Sequence, residues 1–266
     1  MASPTSDTRA HDEAPLLWSV REGVLRCVIN RPGALNALTP ELLFLLAEVV
    51  TAQASDPAVK VVTLAGAGSR AFSAGFDLKS LAEGSAKAHA GQPLERANDA
   101  LLACPKPTIA LVSGYCVGAG FDTAMSCDFR IATPDSSFFV PAIKIGTVYQ
   151  PRAIEKFWRL LGPTTTKQLF VMGRRFSAED AYRVGIVQQV VEVQEVDAAV
   201  AEWASISDKS MSAMMAHKKI IDAIDRTTDR GPAFWEPLDE LRSKSVASPE
   251  RKAAVASFVG HEKGES

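Results

Sequence analysis

Two short apolar runs, each ending in a glycine-rich turn, place the tightest limits on how this chain can fold. Residues 59–64 (VKVVTL) lead into the turn 65–68 (AGAG), and residues 108–112 (TIALV) lead into Ser113-Gly114. Short β-branched runs bounded by glycine are typical of buried strands. A helix is predicted between them, over about residues 93–103. Strands that alternate with helices indicate an α/β layered fold.

The remaining elements divide the chain into three parts. A flexible tail is predicted for residues 1–15, an α/β core for 16–200 and a helical C-terminal region for 201–266. The core elements are predicted as a hairpin over 17–30, a helix from Thr39 to about Ala54, a mobile loop over 83–92, a helix over 121–127, a strand over 129–132 and an extended segment over 138–141. Beyond Pro151 only helices are predicted, over 152–161, 164–171, 177–184 and much of 195–258, the first three followed by Gly162, Gly173 and Gly185.

Composition excludes several classes of function. The 266 residues carry a net charge of -2, which gives no electrostatic case for binding nucleic acid, whose binders usually carry a basic patch. The apolar runs are shorter than the roughly 18 residues that predict a membrane span, and the N-terminus has no apolar signal segment. The four cysteines lack C-x-x-C spacing, which predicts reduced core thiols and a cytoplasmic location.

One glycine turn superficially matches a dinucleotide-binding fingerprint. Gly66-x-Gly68-x-x-Ala71 follows a predicted strand. The turn runs into Gly75 instead of opening a helix, and no acidic residue follows at the spacing that the ribose contact requires. A G-x-S-x-G nucleophile elbow is also absent from the sequence, so NAD binding and triad hydrolysis are both disfavoured.

Two further turns have the composition of an oxyanion site. Residues 73–78 (SAGFDL) and 114–122 (GYCVGAGFD) are rich in small residues, and the second precedes a predicted helix. Free N–H groups at such a place can approach a ligand oxygen closely and stabilise negative charge on it. Alternatively, the glycines only allow close packing of a helix on a sheet. The residues alone do not choose between these two interpretations.

Four segments resemble the crotonase superfamily, the enoyl-CoA hydratase/isomerase family. These are RPGALNAL (31–38), AFSAGFDL (71–78), KPTIALVSGYCVGAGFDTAMSCD (106–128) and LFVMGRRFSAEDAYRVG (169–185). The similarity extends with its spacing from about residue 20 to residue 258. It implies a ββα superhelix of stacked repeats, capped by C-terminal helices that also form trimers or hexamers.

The resemblance also implies a site. The oxyanion donors would be the backbone N–H groups of Phe76 and Ala119, and coenzyme A, as part of an acyl-CoA substrate, would lie along Ala34, Phe76, Asp77, Leu78, Lys79 and Ala119. No further cofactor and no metal is implied. A role in fatty acid metabolism is expected from the same likeness.

The acid and base residues depart from the family pattern. Hydratases of the family have one Glu at the position of Asp122 and a second at the position of Ala142, and other members have an acid at the position of Gln150. The sequence therefore predicts a lyase or isomerase of the enoyl-CoA hydratase/isomerase type in which Asp122 alone moves the proton. The alternatives are a non-catalytic acyl-CoA binding protein, or a hydrolase or decarboxylase of the same fold.

Overall fold

Six strands form the larger of two sheets in the computed structural model, which describes residues 14–77, 91–206 and 211–226 and the isolated positions 243, 247 and 256. The order across this sheet is β1 (Leu16–Arg21), β2 (Val24–Ile29), β3 (Val61–Gly66), β5 (Thr108–Val112), β7 (Phe129–Ala132) and β10 (Gln189–Val190). Strands β1 and β2 form the predicted antiparallel hairpin, and all later neighbours pair in parallel.

A second, smaller sheet contains four short strands. Their order is β4 (Ala71–Ser73), β6 (Tyr115–Val117), β8 (Ser137–Phe139) and β9 (Phe176–Ser177). Strand β6 pairs in parallel with β4 and β8, and β9 runs antiparallel to β8. Strands β4, β6 and β8 of this sheet directly follow β3, β5 and β7 of the larger sheet, whereas β9 follows α4.

Seven helices accompany the sheets within the described residues: α1 (Pro40–Gln53), α2 (Gly91–Ala103), α3 (Gly118–Ala124), α4 (Pro151–Phe170), α5 (Ala178–Arg183), α6 (Val196–Ile206) and α7 (Met211–Arg226). Short 3₁₀ turns span Pro32–Ala34, Ala142–Ile145 and Val193–Glu195. The predicted start of α1 is confirmed, because the Thr39 hydroxyl accepts a hydrogen bond from the N–H of Leu42 at 3.3 Å. Of these helices, none has the length and apolar character needed to cross a membrane.

The order of elements repeats three times. A strand of the larger sheet is followed by a strand of the smaller sheet and then by a helix, as in β3-β4-α2, β5-β6-α3 and β7-β8-α4. Parallel pairing between corresponding strands stacks the repeats on one another. This architecture confirms the predicted α/β fold of stacked ββα units.

Aromatic rings join the helices to the core. Phe157 of α4 packs edge-on against Phe121 of α3, with ring centroids 5.0 Å apart, and against Phe170 at 5.1 Å. Phe170 in turn contacts the ring of Tyr149 at 5.2 Å. This chain of rings fixes the segment before α4 relative to α3.

Several predicted elements differ from the structure. Helix α3 begins at Gly118 and ends at Ala124, three residues before the predicted span, and β9 and β10 lie in the region predicted to be only helical. Strands of two residues carry no periodic pattern, so only their partners in the sheet determine them. At the N-terminus, Ala14 and Pro15 of the predicted tail accept hydrogen bonds from Asn30. Residues 1–13, most of the loop predicted over 83–92 and most of the C-terminal region lie outside the described residues.

Candidate functional site

The two glycine turns meet directly. A methyl group placed on Gly75 would lie 3.4 Å from the nitrogen of Ala119, and one placed on Gly118 would lie 4.0 Å from Cα of Gly75. Both glycines have positive φ values, 96° for Gly75 and 56° for Gly118. Other residues adopt such backbone conformations with strain, so glycine allows both the turn and the close approach. The structure thereby brings the predicted donor residues Phe76 and Ala119 side by side.

The backbone N–H of Phe76 points away from the neighbouring segment that contains Leu38. The N–H of Leu38 donates to the carbonyl of Gly75 at 2.7 Å, and the N–H of Asp77 donates to the carbonyl of Leu38 at 3.0 Å. These bonds flank Phe76, which pairs with Leu38 as an isolated bridge. Because successive N–H groups of an extended chain point in opposite directions, that of Phe76 points to the side opposite Leu38.

The N–H of Ala119 is supplied by a helix start. Ala119 is the second residue of α3, so its N–H has no acceptor inside the helix. Helix α3 lies directly on β4, because a methyl group on Gly120 would lie 2.4 Å from Cβ of Ser73. The two backbone N–H groups therefore come from different repeats, and the packing interpretation of the glycines holds at Gly120.

Asn36 anchors the loop beside the Phe76 turn. Its side-chain amide donates to the carbonyls of Ala71 at 2.7 Å and Ala67 at 3.0 Å, and its side-chain oxygen accepts from the N–H of Arg31 at 3.0 Å. The residue is fully buried and has a φ of 56°. Asparagine tolerates this conformation better than most residues. The sequence analysis missed this role, although a polar residue inside a short apolar segment is a usable signal.

Ala34 and Asp77, two of the residues predicted to contact coenzyme A, lie within the described part of the chain. Ala34 is exposed at the end of a 3₁₀ turn, and Asp77 forms an ion pair with Arg31 at 2.9 Å between its Oδ2 and the guanidinium. Arg31 also donates to the carbonyl of Ala37 at 2.6 Å. Leu78 and Lys79 lie outside the described residues.

Asp122 is a paired carboxylate. Its side chain is 4% exposed, and its Oδ1 lies 2.8 Å from Nζ of Lys156 on α4. Its Oδ2 accepts a hydrogen bond from the amide of Asn98 on α2 at 2.9 Å. The sequence analysis missed both partners, because a lysine and an asparagine on amphipathic helices are normally solvent-facing.

Tyr149 lies against the second turn. Its hydroxyl is 3.2 Å from the position of a methyl group on Gly118. Burial, followed by the negative charge of Asp122, raises the pKa of the Tyr149 phenol above its ordinary value. The hydroxyl is therefore neutral at physiological pH and can donate a hydrogen bond. At the two positions where other members of the family have an acid, Ala142 is buried and Gln150 is partly exposed at the start of α4.

The remaining reactive groups are buried thiols. Cys27, Cys104, Cys116 and Cys127 are all buried and form no disulfide. Desolvation raises the pKa of Cys104 to about 11 and those of Cys27 and Cys127 to about 12. Such thiols remain protonated and unreactive at neutral pH. In the part of the chain that the structure describes, no group of three or more His, Cys, Asp or Glu residues could hold a metal ion.

Comparison with known proteins identifies relatives with acyl-CoA activities. Residues 19–265 match the family model described as enoyl-CoA hydratase/isomerase. The crotonyl-CoA hydratase of Syntrophomonas wolfei is 36% identical over 173 residues, which are 63% of this chain and 65% of that protein. The carnitinyl-CoA dehydratase of Shigella flexneri is 36% identical over 174 residues, which are 65% of this chain and 66% of that protein. The matched segment thus spans slightly less than two thirds of either relative.

A solved structure extends the comparison over more of the chain. A methylmalonyl-CoA decarboxylase in complex with 2-nitronate-propionyl-CoA superposes with a TM-score of 0.85 and 25% sequence identity. The superposition covers 93% of this chain and 96% of that chain.

Proposed function

Because the chain belongs to the enoyl-CoA hydratase/isomerase family, we propose that it binds an acyl-CoA thioester and polarises the thioester carbonyl with the N–H groups of Phe76 and Ala119. The observation that carries this proposal is the contact between the two turns, with 3.4 Å between the Cβ position of Gly75 and the nitrogen of Ala119. Preorganised donors of this kind lower a barrier by about 3 kcal/mol each, because charge develops between dipoles that are already oriented.

The reaction then depends on what leaves the carbon atom next to the carbonyl. An enolate forms when that carbon loses a proton to a base or loses carbon dioxide, or when water gives up a proton to a base and adds to the β-carbon of a 2-enoyl-CoA. Both oxygen atoms of Asp122 already contact Lys156 and Asn98, and Ala142 supplies no second carboxylate. These contacts favour a reaction that forms the enolate without a base.

Decarboxylation of a 2-carboxyacyl-CoA is such a reaction. The bond between the carboxylate carbon and the adjacent carbon breaks, its electron pair becomes the enolate, and carbon dioxide leaves. A proton from solvent then converts the enolate to the shorter acyl-CoA. The likeness to a methylmalonyl-CoA decarboxylase supports this reaction class.

Tyr149 is suited to orienting the substrate. Its hydroxyl lies beside Gly118, and burial keeps it protonated by raising its pKa. A neutral phenol in this place donates a hydrogen bond to the leaving carboxylate or to the enolate oxygen and does not remove a proton. We assign Tyr149 this role within the proposed reaction.

A second candidate function is hydration or dehydration with Asp122 as the proton carrier. The two curated relatives, a crotonyl-CoA hydratase and a carnitinyl-CoA dehydratase, favour it. It requires Asp122 to take up a proton beside Lys156, which would leave the buried ammonium group without its counter-charge.

The substrate's nucleotide part and the assembly complete the proposal. We expect coenzyme A to run along Ala34, Asp77, Leu78 and Lys79, as the family resemblance implies. We also expect trimers or hexamers. Neither extension changes the chemistry at the two donors.

The test is incubation of the purified protein with methylmalonyl-CoA and, separately, with crotonyl-CoA. We expect release of carbon dioxide and formation of propionyl-CoA from the first, without loss of the conjugated thioester absorbance of the second. Loss of crotonyl-CoA absorbance that Asp122→Asn abolishes would instead establish the second candidate. Binding of both thioesters with turnover of neither would identify an acyl-CoA binding protein.

A further inference from the structure

Lys156 reaches from α4 to three acceptor atoms, two on Asp122 of α3 and one on Ser126 just beyond that helix. Its ammonium lies 2.8 Å from Oδ1 of Asp122, 3.0 Å from the carbonyl oxygen of Asp122 and 2.5 Å from the hydroxyl oxygen of Ser126. The lysine side chain is 14% exposed and the aspartate side chain 4%. The two opposite charges are therefore buried together beneath the turn that carries Ala119.

The second oxygen of the carboxylate is bound from another helix. Oδ2 of Asp122 accepts from the amide of Asn98, which is 6% exposed. One oxygen atom of the carboxylate is thus hydrogen-bonded to α2, and the other is in ion-pair contact with α4. Asp122 follows Ala119 by three residues on α3, so the pair lies next to the proposed reaction centre.

This pairing works against proton abstraction. If Asp122 took a proton from the substrate, the positive charge of Lys156 would remain buried without a counter-charge, which is strongly unfavourable. We propose that Lys156 is a specificity-determining residue that withholds Asp122 from proton transfer and so limits the site to enolates formed without a base. The inference rests on the proposed acyl-CoA function.

Exchange of substrate hydrogen with solvent reports directly on this role. A free Asp122 carboxylate would take a proton from the carbon next to the carbonyl of propionyl-CoA, leaving an enolate and a neutral carboxylic acid. In D₂O the acid exchanges its proton, and returning a deuteron regenerates the thioester with one deuterium. Mass spectrometry of propionyl-CoA measures the label.

The decisive variant is Lys156→Met, which keeps the length of the side chain and removes its charge. We expect no labelling above background with the unaltered protein and a rise of roughly 100-fold in Lys156→Met, the size of contribution that general base catalysis makes. The double variant Lys156→Met/Asp122→Asn should return to background, since the new base is gone. Lys167→Met is the matched control, because Lys167 is exposed on the same helix.

If Lys156→Met fails to fold, Lys156→Gln provides the same test, since glutamine also removes the charge and can still donate to Ser126 and to the carbonyl of Asp122. A folded charge-removing variant that binds propionyl-CoA but shows no labelling would overturn the inference. Labelling by the unaltered protein would also overturn it, because Asp122 would then act as a base despite Lys156. Failure of methylmalonyl-CoA turnover would count only against the proposed reaction, since the labelling experiment uses a different thioester.

Discussion

The turn around Phe76 is tied to its surroundings mainly by hydrogen bonds, whereas the turn around Ala119 is held mainly by close packing. On the first side, Leu38 bonds to the residues flanking Phe76, and the buried amide of Asn36 anchors the loop that carries Leu38. On the second side, Gly118 and Gly120 let α3 approach Gly75, Ser73 and Tyr149 without intervening side chains. The two proposed donors therefore depend on different physical interactions.

This difference predicts opposite sensitivities. A turn held by packing fails when volume is added, while a turn held by hydrogen bonds fails when a partner is removed and a buried carbonyl is left without its donor. Substitutions that change only volume or only hydrogen bonding can separate the two.

The largest effect is expected from Gly120→Ala. The added methyl group would lie 2.4 Å from Cβ of the buried Ser73, so α3 must move away from β4 and the Ala119 donor with it. We expect a loss of about 1–3 kcal/mol in the free energy of unfolding, measured by urea denaturation, and loss of most turnover. Gly33→Ala is the control, because a methyl group there meets nothing within 4 Å. Equal stability of the two variants would contradict packing as the restraint on this turn.

Asn36→Gly is expected to have the next largest effect. It removes the side chain from three hydrogen bonds but tolerates the φ of 56°, so it tests hydrogen bonding alone. We expect stability to fall by about 1–2 kcal/mol and kcat to fall more than KM rises, because the Phe76 donor loses its alignment. Asn36→Ala adds backbone strain and should be less stable than Asn36→Gly by about 1 kcal/mol. Unchanged stability of Asn36→Gly would show that conformation, and not hydrogen bonding, is the role of Asn36.

The sequence predicted local elements better than contacts between distant helices. The strand at 108–112 and the cap at Thr39 were found because period and capping are local signals. The family resemblance supplied Phe76, Ala119 and Asp122 as candidates. The partners Lys156 and Asn98 could not be predicted, because they come from helices 34 and 24 residues away from Asp122 and only tertiary packing brings them together.

The smallest effect concerns alkaline pH and the Ala119 side alone. Cys116 lies two residues before the start of α3. Burial raises the pKa of its thiol well above the ordinary value of 9.0. Cys127, just beyond α3, and Tyr149 have pKa values raised by the same cause, the former to about 12. Two buried thiols and the partly buried Tyr149 phenol, all protonated at neutral pH, therefore flank one donor turn.

The sign of the effect follows from proton binding. Below about pH 8 both folded and unfolded chains keep these protons, so the groups contribute no pH dependence. Above about pH 9 the unfolded chain releases its thiol protons while the folded chain retains them, so stability falls as pH rises, by at most about 1.4 kcal/mol per pH unit for each group. Cys116→Ala should make this decline shallower by about 1 kcal/mol between pH 8 and 10 in urea unfolding.

Hydrogen exchange would show whether the decline is local. If alkaline pH destabilises the packed turn, the exchange rates of the α3 amides should rise more steeply with pH than base catalysis alone predicts, while those of Leu38 and Asp77 should follow base catalysis alone. Their hydrogen bonds to the Phe76 turn involve none of the three acids. If the α3 amides and the amides of Leu38 and Asp77 respond to pH in the same way, the two turns open as one unit. The contrast between packing and hydrogen bonding would then apply to the stability of the turns but not to their motion.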